Sequence, residues 1–582
     1  MEKIVETKKC THCWVSFEIT DKDLEFYEKV SPVFNGIKYT IPSPTLCPDC
    51  RQQRRLSFRN ERKLYKWVCD LTGKNIISIY APQEVLLGCS PDKPFKVYEQ
   101  SEWWSDKWDA MDYGRDFDFK RGFFDQFERL MKEVPHQNIS NPNSENCNFS
   151  QIAYSKNCYL TFVWGLSENV LYWHWVVNVK DSSDCVRCQN IDSSFDCLYC
   201  YDGFWLYSCF QCKWSSNCYF SWNLVGCKDC FLSGNLVNKQ YVFKNIQLNK
   251  EQYESEMKKL NIHLNYFNFV TERNTLLKKS LFKLNQNFES ENCSWDYIKN
   301  SWNCINSFEI TDNHNCKNFY DNAWDCVDCM DCSYGKWGRN CLETLIATWD
   351  SDIFWIYNVL PSNHLYYCKD CHSSSHLFWC IGLRNKSYCI LNKQYTKEEY
   401  EELVPKIIEH MMHPPRSSTT PQEGNYPEWG EFFPSSISPF GYNETVAQEY
   451  FPFTKEQALE GWFKWSDYEN PFPKVEKIIP ASKLPEDISK IPDDILNWAI
   501  KCEVTGKPFR IIKQELEFYR KHHLPIPRRH PDQRHSDRIK LRNPRKLFER
   551  KCDKCGVKMM TTYSPERPEK VYCEGCYNKE IL

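Results

Sequence analysis

No stretch of this 582-residue chain approaches 18 uninterrupted apolar residues, which argues against a membrane-spanning helix. The opening residues, Met1-Glu2-Lys3-Ile4-Val5-Glu6-Thr7-Lys8-Lys9, contain no apolar core of a leader peptide, so the expectation is a soluble, cytoplasmic protein without membrane contact. No active site is evident, and no catalytic residue is predicted. The net charge of −3 says little, because the charge is unevenly distributed.

Apolar content of 41% suffices for packed cores, and length alone suggests three to five domains. Aromatic residues make up 16%, with 22 Trp, and such rings must be buried, stacked or used for binding. The 33 cysteines, in a reducing compartment, are metal ligands or buried thiols before they are disulfides.

The two ends of the chain carry the same module. One constant offset pairs Cys69-Asp70 with Cys552-Asp553, Cys47-Pro-Asp-Cys50-Arg51 with His530-Pro-Asp-Gln-Arg534, and Tyr80-Ala81-Pro82 with Tyr563-Ser564-Pro565. Leu24-Glu-Phe-Tyr27 recurs as Leu516-Glu-Phe-Tyr519. Cys10-x-x-Cys13 with Cys47-x-x-Cys50, and Cys552-x-x-Cys555 with Cys573-x-x-Cys576, have zinc-ribbon form. Each CxxC turn offers two thiolates to one side of a tetrahedral ion, so two structural zinc ions are expected on these eight cysteines. Four thiolates leave no open position for water, which argues against a catalytic metal. Each copy has also lost one site: Cys13 aligns with Thr505, and Cys555 with Thr72.

Residues from about 140 to 395 repeat with a short period. Cys185, Cys197 and Cys209 lie twelve apart, as do Cys188, Cys200 and Cys212. The recurring frame is Ser-x-(Asn/Asp)-Cys, as in Ser182-Ser-Asp-Cys185 and Ser194-Phe-Asp-Cys197; in Ser167-Glu-Asn-Val170 a valine replaces the cysteine. Two arrays are distinguishable, each opening on Ser-Glu-Asn-Cys (144–147, 290–293) and closing on Asn-Lys-Gln-Tyr (238–241, 392–395). Turn residues followed by a small apolar one suit a β-solenoid with a narrow interior. Buried thiol ladders are the favoured reading of the cysteines; further metal sites and disulfides remain alternatives. Cys368-x-x-Cys371-His372 and Cys326-x-x-Cys329-x-x-Cys332 resemble haem and ferredoxin motifs but lack the surrounding signals.

Between Lys507 and Lys551 stand 15 Lys or Arg against 5 acidic residues. Arg528, Arg529, Arg534, Arg538, Arg542, Arg545 and Lys546 are mirrored near the N-terminus by Arg51, Arg54, Arg55, Arg59 and Arg62. Guanidinium groups interleaved with aromatics suit phosphate and base recognition, so these residues are predicted to contact RNA or a ribonucleoprotein.

At Cys502-Glu-Val-Thr-Gly-Lys-Pro-Phe509, Leu524-Pro-Ile-Pro-Arg-Arg-His-Pro-Asp532, Arg542-Asn-Pro-Arg-Lys546, Cys552-x-x-Cys555 to Cys573-x-x-Cys576, and Cys47-Pro-Asp-Cys50-Arg-Gln-Gln-Arg-Arg55, the chain resembles a group of zinc-ribbon, Cys-rich repeat proteins of candidate-phyla (Patescibacteria-type) bacteria. The resemblance spans most of the chain. It implies zinc ribbons and a cytoplasmic bacterial protein, and no activity.

The predicted fold is mainly β and multidomain, with duplicated zinc-ribbon modules flanking two Cys-rich β-solenoid-like arrays and short connecting helices. The segments are an N-terminal double ribbon (1–95), an aromatic and acidic helical connector (96–138), array A (139–247), a helix (248–280), array B (281–395), a helix (396–412), a linker with short helices (413–500), and a basic C-terminal double ribbon (501–582). The connector is expected to dock the N-terminal module on array A. The functional reading is a non-enzymatic zinc protein contacting RNA. The alternatives are a scaffold binding protein through solenoid faces and surface aromatics such as Trp205 and Trp222, and an enzyme of unknown type.

Overall fold

The computed structural model describes residues 2–81, 86–87, 95–415, 428–469, 472 and 474–581. Pro82 and residues 416–427 of the predicted linker lie outside them. The architecture is mainly β, with two solenoids in the middle and a cysteine cluster near each end.

Every third residue of the arrays sits in the left-handed region, and this sets the coil shape. In one coil Asp184, Arg187, Asn190 and Ser193 have φ of 57°, 53°, 52° and 48°. The residue after each turns inward, so Cys185, Cys188, Ile191 and Ser194 are all buried. Four triplets therefore make one twelve-residue coil with four interior side chains. Coils stack in parallel register, as in Val176↔Cys188, Cys218↔Cys230 and Leu365↔Leu377. One coil of array B is a residue longer, pairing Tyr320 with Ser333. Each array ends in a short antiparallel strand, Ile246–Gln247 and Lys393–Gln394.

A left-handed non-glycine residue costs about 1–2 kcal/mol, so the coils need compensation. It comes partly from amide ladders at the corners, where Asn169 Nδ2 donates to Asp181 at 2.8 Å and Asn190 Nδ2 to Asp202 at 2.7 Å. Inside, small polar groups stitch coil to coil. Ser194 Oγ donates to the Asp192 carbonyl at 2.9 Å and accepts the Leu206 N–H at 3.2 Å. Cysteine does the same: Cys197 Sγ donates to the Leu206 carbonyl at 3.2 Å, and its N–H donates to Cys185 Sγ at 3.3 Å. Every described cysteine is a free thiol. Val170 is fully buried in the same interior, so the position asks for a small packed side chain and not for a ligand.

Asp350 breaks this interior pattern. Its carboxylate accepts backbone N–H groups from Ser362 and Thr348, yet burial pushes its pKa up to about 8. The folded protein favours the neutral acid, so this contribution to stability is complete near pH 4 and is lost as pH rises through about 8. Wild type should lose on the order of a few kcal/mol over that range relative to Asp350→Asn, whose denaturation midpoint should be flatter with pH.

The described chain divides into two compact units, and neither is continuous in sequence. The first joins residues 1–139 to 285–468; the second joins 140–284 to 469–582. Within the first unit, the connector helix Phe123–Glu133 stacks Phe123 on Trp379 of array B, ring centroids 3.8 Å apart. Its N-terminal amides, Phe123 and Phe124, donate to Glu428 at 3.0 and 3.1 Å. The connector thus docks on array B and not on array A as expected, because array B supplies the aromatic groove that covers its apolar face. Within the second unit, the helix Lys513–Lys521 packs on array A, burying Phe518 and Tyr519 against Phe195. After each array comes a capped helix, Lys250–Lys259 and Lys397–Met412; the first is followed by a second helix, Tyr266–Leu277.

Candidate metal centres

Four backbone knuckles share one hydrogen-bond pattern. Cys10 N–H donates to Val15 and Trp14 N–H returns to Cys10, at 2.9 and 3.0 Å; Cys552 with Val557 and Gly556 with Cys552 repeat it, both at 2.9 Å. The two knuckles that lost a cysteine keep it. Cys69 N–H donates to Lys74 at 2.8 Å, and Cys502 N–H to Lys507 at 3.0 Å. Glycine occupies the left-handed corner at Gly73, Gly506 and Gly556, whereas Trp14 takes that corner with φ 63°.

Among the described residues, only the intact knuckles meet a partner pair. Cys10, Cys13, Cys47 and Cys50 place their sulfurs within 4.8 Å of one another, as do Cys552, Cys555, Cys573 and Cys576. Cys13 and Cys47 lie 3.6 Å apart, and Cys555 and Cys573 3.8 Å. A tetrahedral ion with bonds of about 2.3 Å to sulfur requires edges of about 3.8 Å, so both sets fit such an ion. Without a cation the thiols cannot all ionise. Hydrogen bonding with Cys47 holds Cys10 far below the usual thiol range, while Cys10 in turn pushes Cys47 up to about 12. In the C-terminal set, burial would raise Cys552, but the N–H groups of Cys555 and Cys573 bring it down to about 6. A divalent cation would offset this charge crowding. Among the described residues no other group of three or more His, Cys, Asp or Glu converges so closely, and the array thiols form no cage.

Several of the arginines predicted to contact phosphate lie against the arrays. Arg51 pairs with Asp331 of array B, and Arg55, fully buried, lies 3.9 Å from Asp331 and 3.8 Å from Glu343. Arg54 pairs with Glu343 and Glu431 at 3.3 and 2.9 Å. Arg59 pairs with Glu61 and sits 3.7 Å over the Tyr334 ring. In the second unit Arg534 pairs with Asp184 and, at 3.3 Å, with Glu515; Arg538 reaches Asp184 at 2.9 Å and Asp196 at 3.1 Å. Arg542 Nε donates to the Tyr199 hydroxyl at 3.1 Å. The charges of Arg51, Arg54, Arg55, Arg59, Arg534 and Arg538 thus lie against carboxylates, and Arg542 lies against the Tyr199 hydroxyl. Arg528 pairs with Glu486 and Arg529 with Glu503 and Asp537, nearer the surface; Arg62 and Arg545 are half-buried, and Lys546 is exposed.

Sequence reasoning missed the partners, Asp184 and Asp331. Both occupy the left-handed corner before an interior cysteine, Cys185 and Cys332, with φ 57° and 56°. The available signal was Asp in place of Asn at that corner. Of the two tryptophans expected at the surface, Trp205 is 48% exposed, whereas Trp222 is buried against Gly234.

No family model and no curated protein matches the chain. Among solved structures, a crystal structure described as a "putative acetyltransferase from Desulfovibrio desulfuricans G20" aligns with 41% of this chain and 63% of its own, at 11% identity and a TM-score of 0.11. So low a score carries no argument about fold or function. Among the described residues no helix is long and apolar enough to cross a membrane.

Proposed function

We propose that this is a non-enzymatic scaffold protein of a reducing cytoplasm, that zinc fills both four-cysteine sites, and that a protein partner docks on the side of array A. One observation carries the choice of partner: the cationic side chains are largely consumed in internal ion pairs, while large aromatics are held out. Phe204, Trp205 and Trp214 are each about half exposed. Trp205 also borders a cavity of about 480 Å³ with Tyr207, Tyr219, His263, His522 and His523. That volume accepts the side chains of a docked segment. No carboxylate lines it, and aromatic anchors in such pockets dominate protein interfaces.

A second reading, contact with RNA, draws support from the basic side chains left near the surface, Arg528, Arg529, Arg545 and Lys546. A salt series with structured RNA separates the two, comparing wild type with the four residues changed together to Gln. The scaffold reading expects weak binding that is the same for both proteins. A steep loss of affinity with salt, made shallower by the substitutions, would overturn it in favour of RNA.

A further inference from the structure

The two four-cysteine sites share a ligand set and differ in what surrounds them. At the N-terminal site Cys13 is exposed, but the other three ligands, Cys10, Cys47 and Cys50, are buried, and with Phe17 and Ile19 they form one apolar cluster. Cys47 caps the helix Pro48–Leu56, six of whose nine residues are buried, and Arg51 and Arg55 of that helix are held on Asp331. Opening this site means withdrawing a buried helix.

At the C-terminal site only Cys552 is buried; Cys555 is exposed, and Cys573 and Cys576 are half-exposed. The helix that carries Cys576, Glu574–Ile581, buries none of its residues. Its ties to the rest of the second unit are slight. Asn223 Nδ2 donates to the Tyr577 hydroxyl at 2.7 Å, and Glu574 pairs with Lys283 at the surface. A surface ion pair of this kind contributes at most about 1 kcal/mol. Just before it, Lys570–Tyr572 pairs with Leu281–Lys283.

We propose that the C-terminal cluster is a peroxide-sensitive, exchangeable zinc site, while the N-terminal cluster keeps its ion. The proposal rests on the zinc reading above. Cys555 and Cys573, with sulfurs 3.8 Å apart, are the reacting pair. Two zinc-bound thiolates give two electrons to hydrogen peroxide. An S–S bond forms, the O–O bond breaks, two protons from solvent complete two waters, and zinc leaves. With two ligands gone, the helix Glu574–Ile581 loses its main anchor and detaches from the strand Leu281–Lys283, which reductant and zinc reverse. The oxidant is hydrogen peroxide, and accessible thiolates are its target.

The experiment uses the full chain loaded with zinc. Total zinc is measured first in denatured protein. Release during peroxide exposure is then followed with a chromogenic chelator, and the oxidised cysteines are located by alkylation and peptide mass. The expected result is two zinc per chain, one leaving at least about tenfold faster than the other, with a Cys555–Cys573 disulfide formed in that phase. Release of both ions at one rate, or early oxidation among Cys10, Cys13, Cys47 and Cys50, would overturn the proposal and leave the zinc reading standing. A zinc content near zero before any peroxide would instead remove the zinc reading itself.

Discussion

Replacing Asp184 by alanine should cost the second unit about 3–5 kcal/mol, because it removes the fully buried carboxylate that two buried guanidinium groups share. Asp184 is fully buried, paired to Arg534 and held 2.9 Å from Arg538. The remaining carboxylates replace it only in part: Glu515 reaches Arg534 at 3.3 Å but also accepts the hydroxyls of Tyr172 and Tyr519, and Asp196, 3.1 Å from Arg538, is the more exposed partner. The measurement is urea denaturation followed by tryptophan fluorescence. A quadruple variant, Asp184→Leu with Arg534→Met, Arg538→Leu and Glu515→Gln, should recover most of the loss, since it removes the desolvation cost of all four charges while the amide oxygen still accepts from Tyr172 and Tyr519. An unchanged midpoint in Asp184→Ala would mean that the arginines reach solvent, and would reopen their reading as phosphate contacts. Asp331→Ala should do to the first unit what Asp184→Ala does to the second, through Arg51 and Arg55.

Cys50→Ser should have the larger effect of the two. Zinc bound by four cysteines contributes on the order of 10 kcal/mol to the fold of small ribbons. Here Cys50 lies on the helix that carries Arg51 and Arg55, so with zinc bound as proposed its loss would loosen the module and its grip on array B together. The expected outcome is one zinc per chain by metal analysis and loss of the first unit's unfolding transition, with the second unit's transition retained. Cys576→Ser should remove the other ion at a far smaller cost, because the helix around it buries no side chain. Equal losses in the two variants would contradict the distinction between a clamped and an open site.

The four-cysteine clusters and the solenoids were legible in the sequence because both are local. A CxxC knuckle declares itself within a few residues, and a coil repeats every twelve, so Cys185, Cys197 and Cys209 could be placed in one column before any coordinates. Even the interior role of the cysteines was legible, from a single substitution at Val170. The direction of the arginines was not. Spacing along a helix says which side chains share a face, and nothing about what that face meets. Arg51 finds its carboxylate 280 positions away, and Arg534 finds Asp184 at 350. The corner conformation was half visible, in the Asn and Asp before each cysteine. It was hidden wherever Tyr199, Trp205 or Arg187 holds the same left-handed geometry. Docking of the connector was misplaced for a related reason: array A is next in sequence, and proximity along the chain stood in for packing.

The crossed pairing of segments has a consequence for biosynthesis. The N-terminal module is made first, but its partner begins only at residue 285, after the whole of array A. At about 5–20 residues per second, the ribosome takes on the order of ten seconds or more to cover that distance. For that interval Arg51, Arg55 and the apolar side of the connector helix have no array B to bury them. Array A, already emerging, offers Asp184 at the corner where array B will later offer Asp331. The nascent chain therefore presents a similar carboxylate corner on array A before array B exists. Slow elongation through array A would lengthen that exposure.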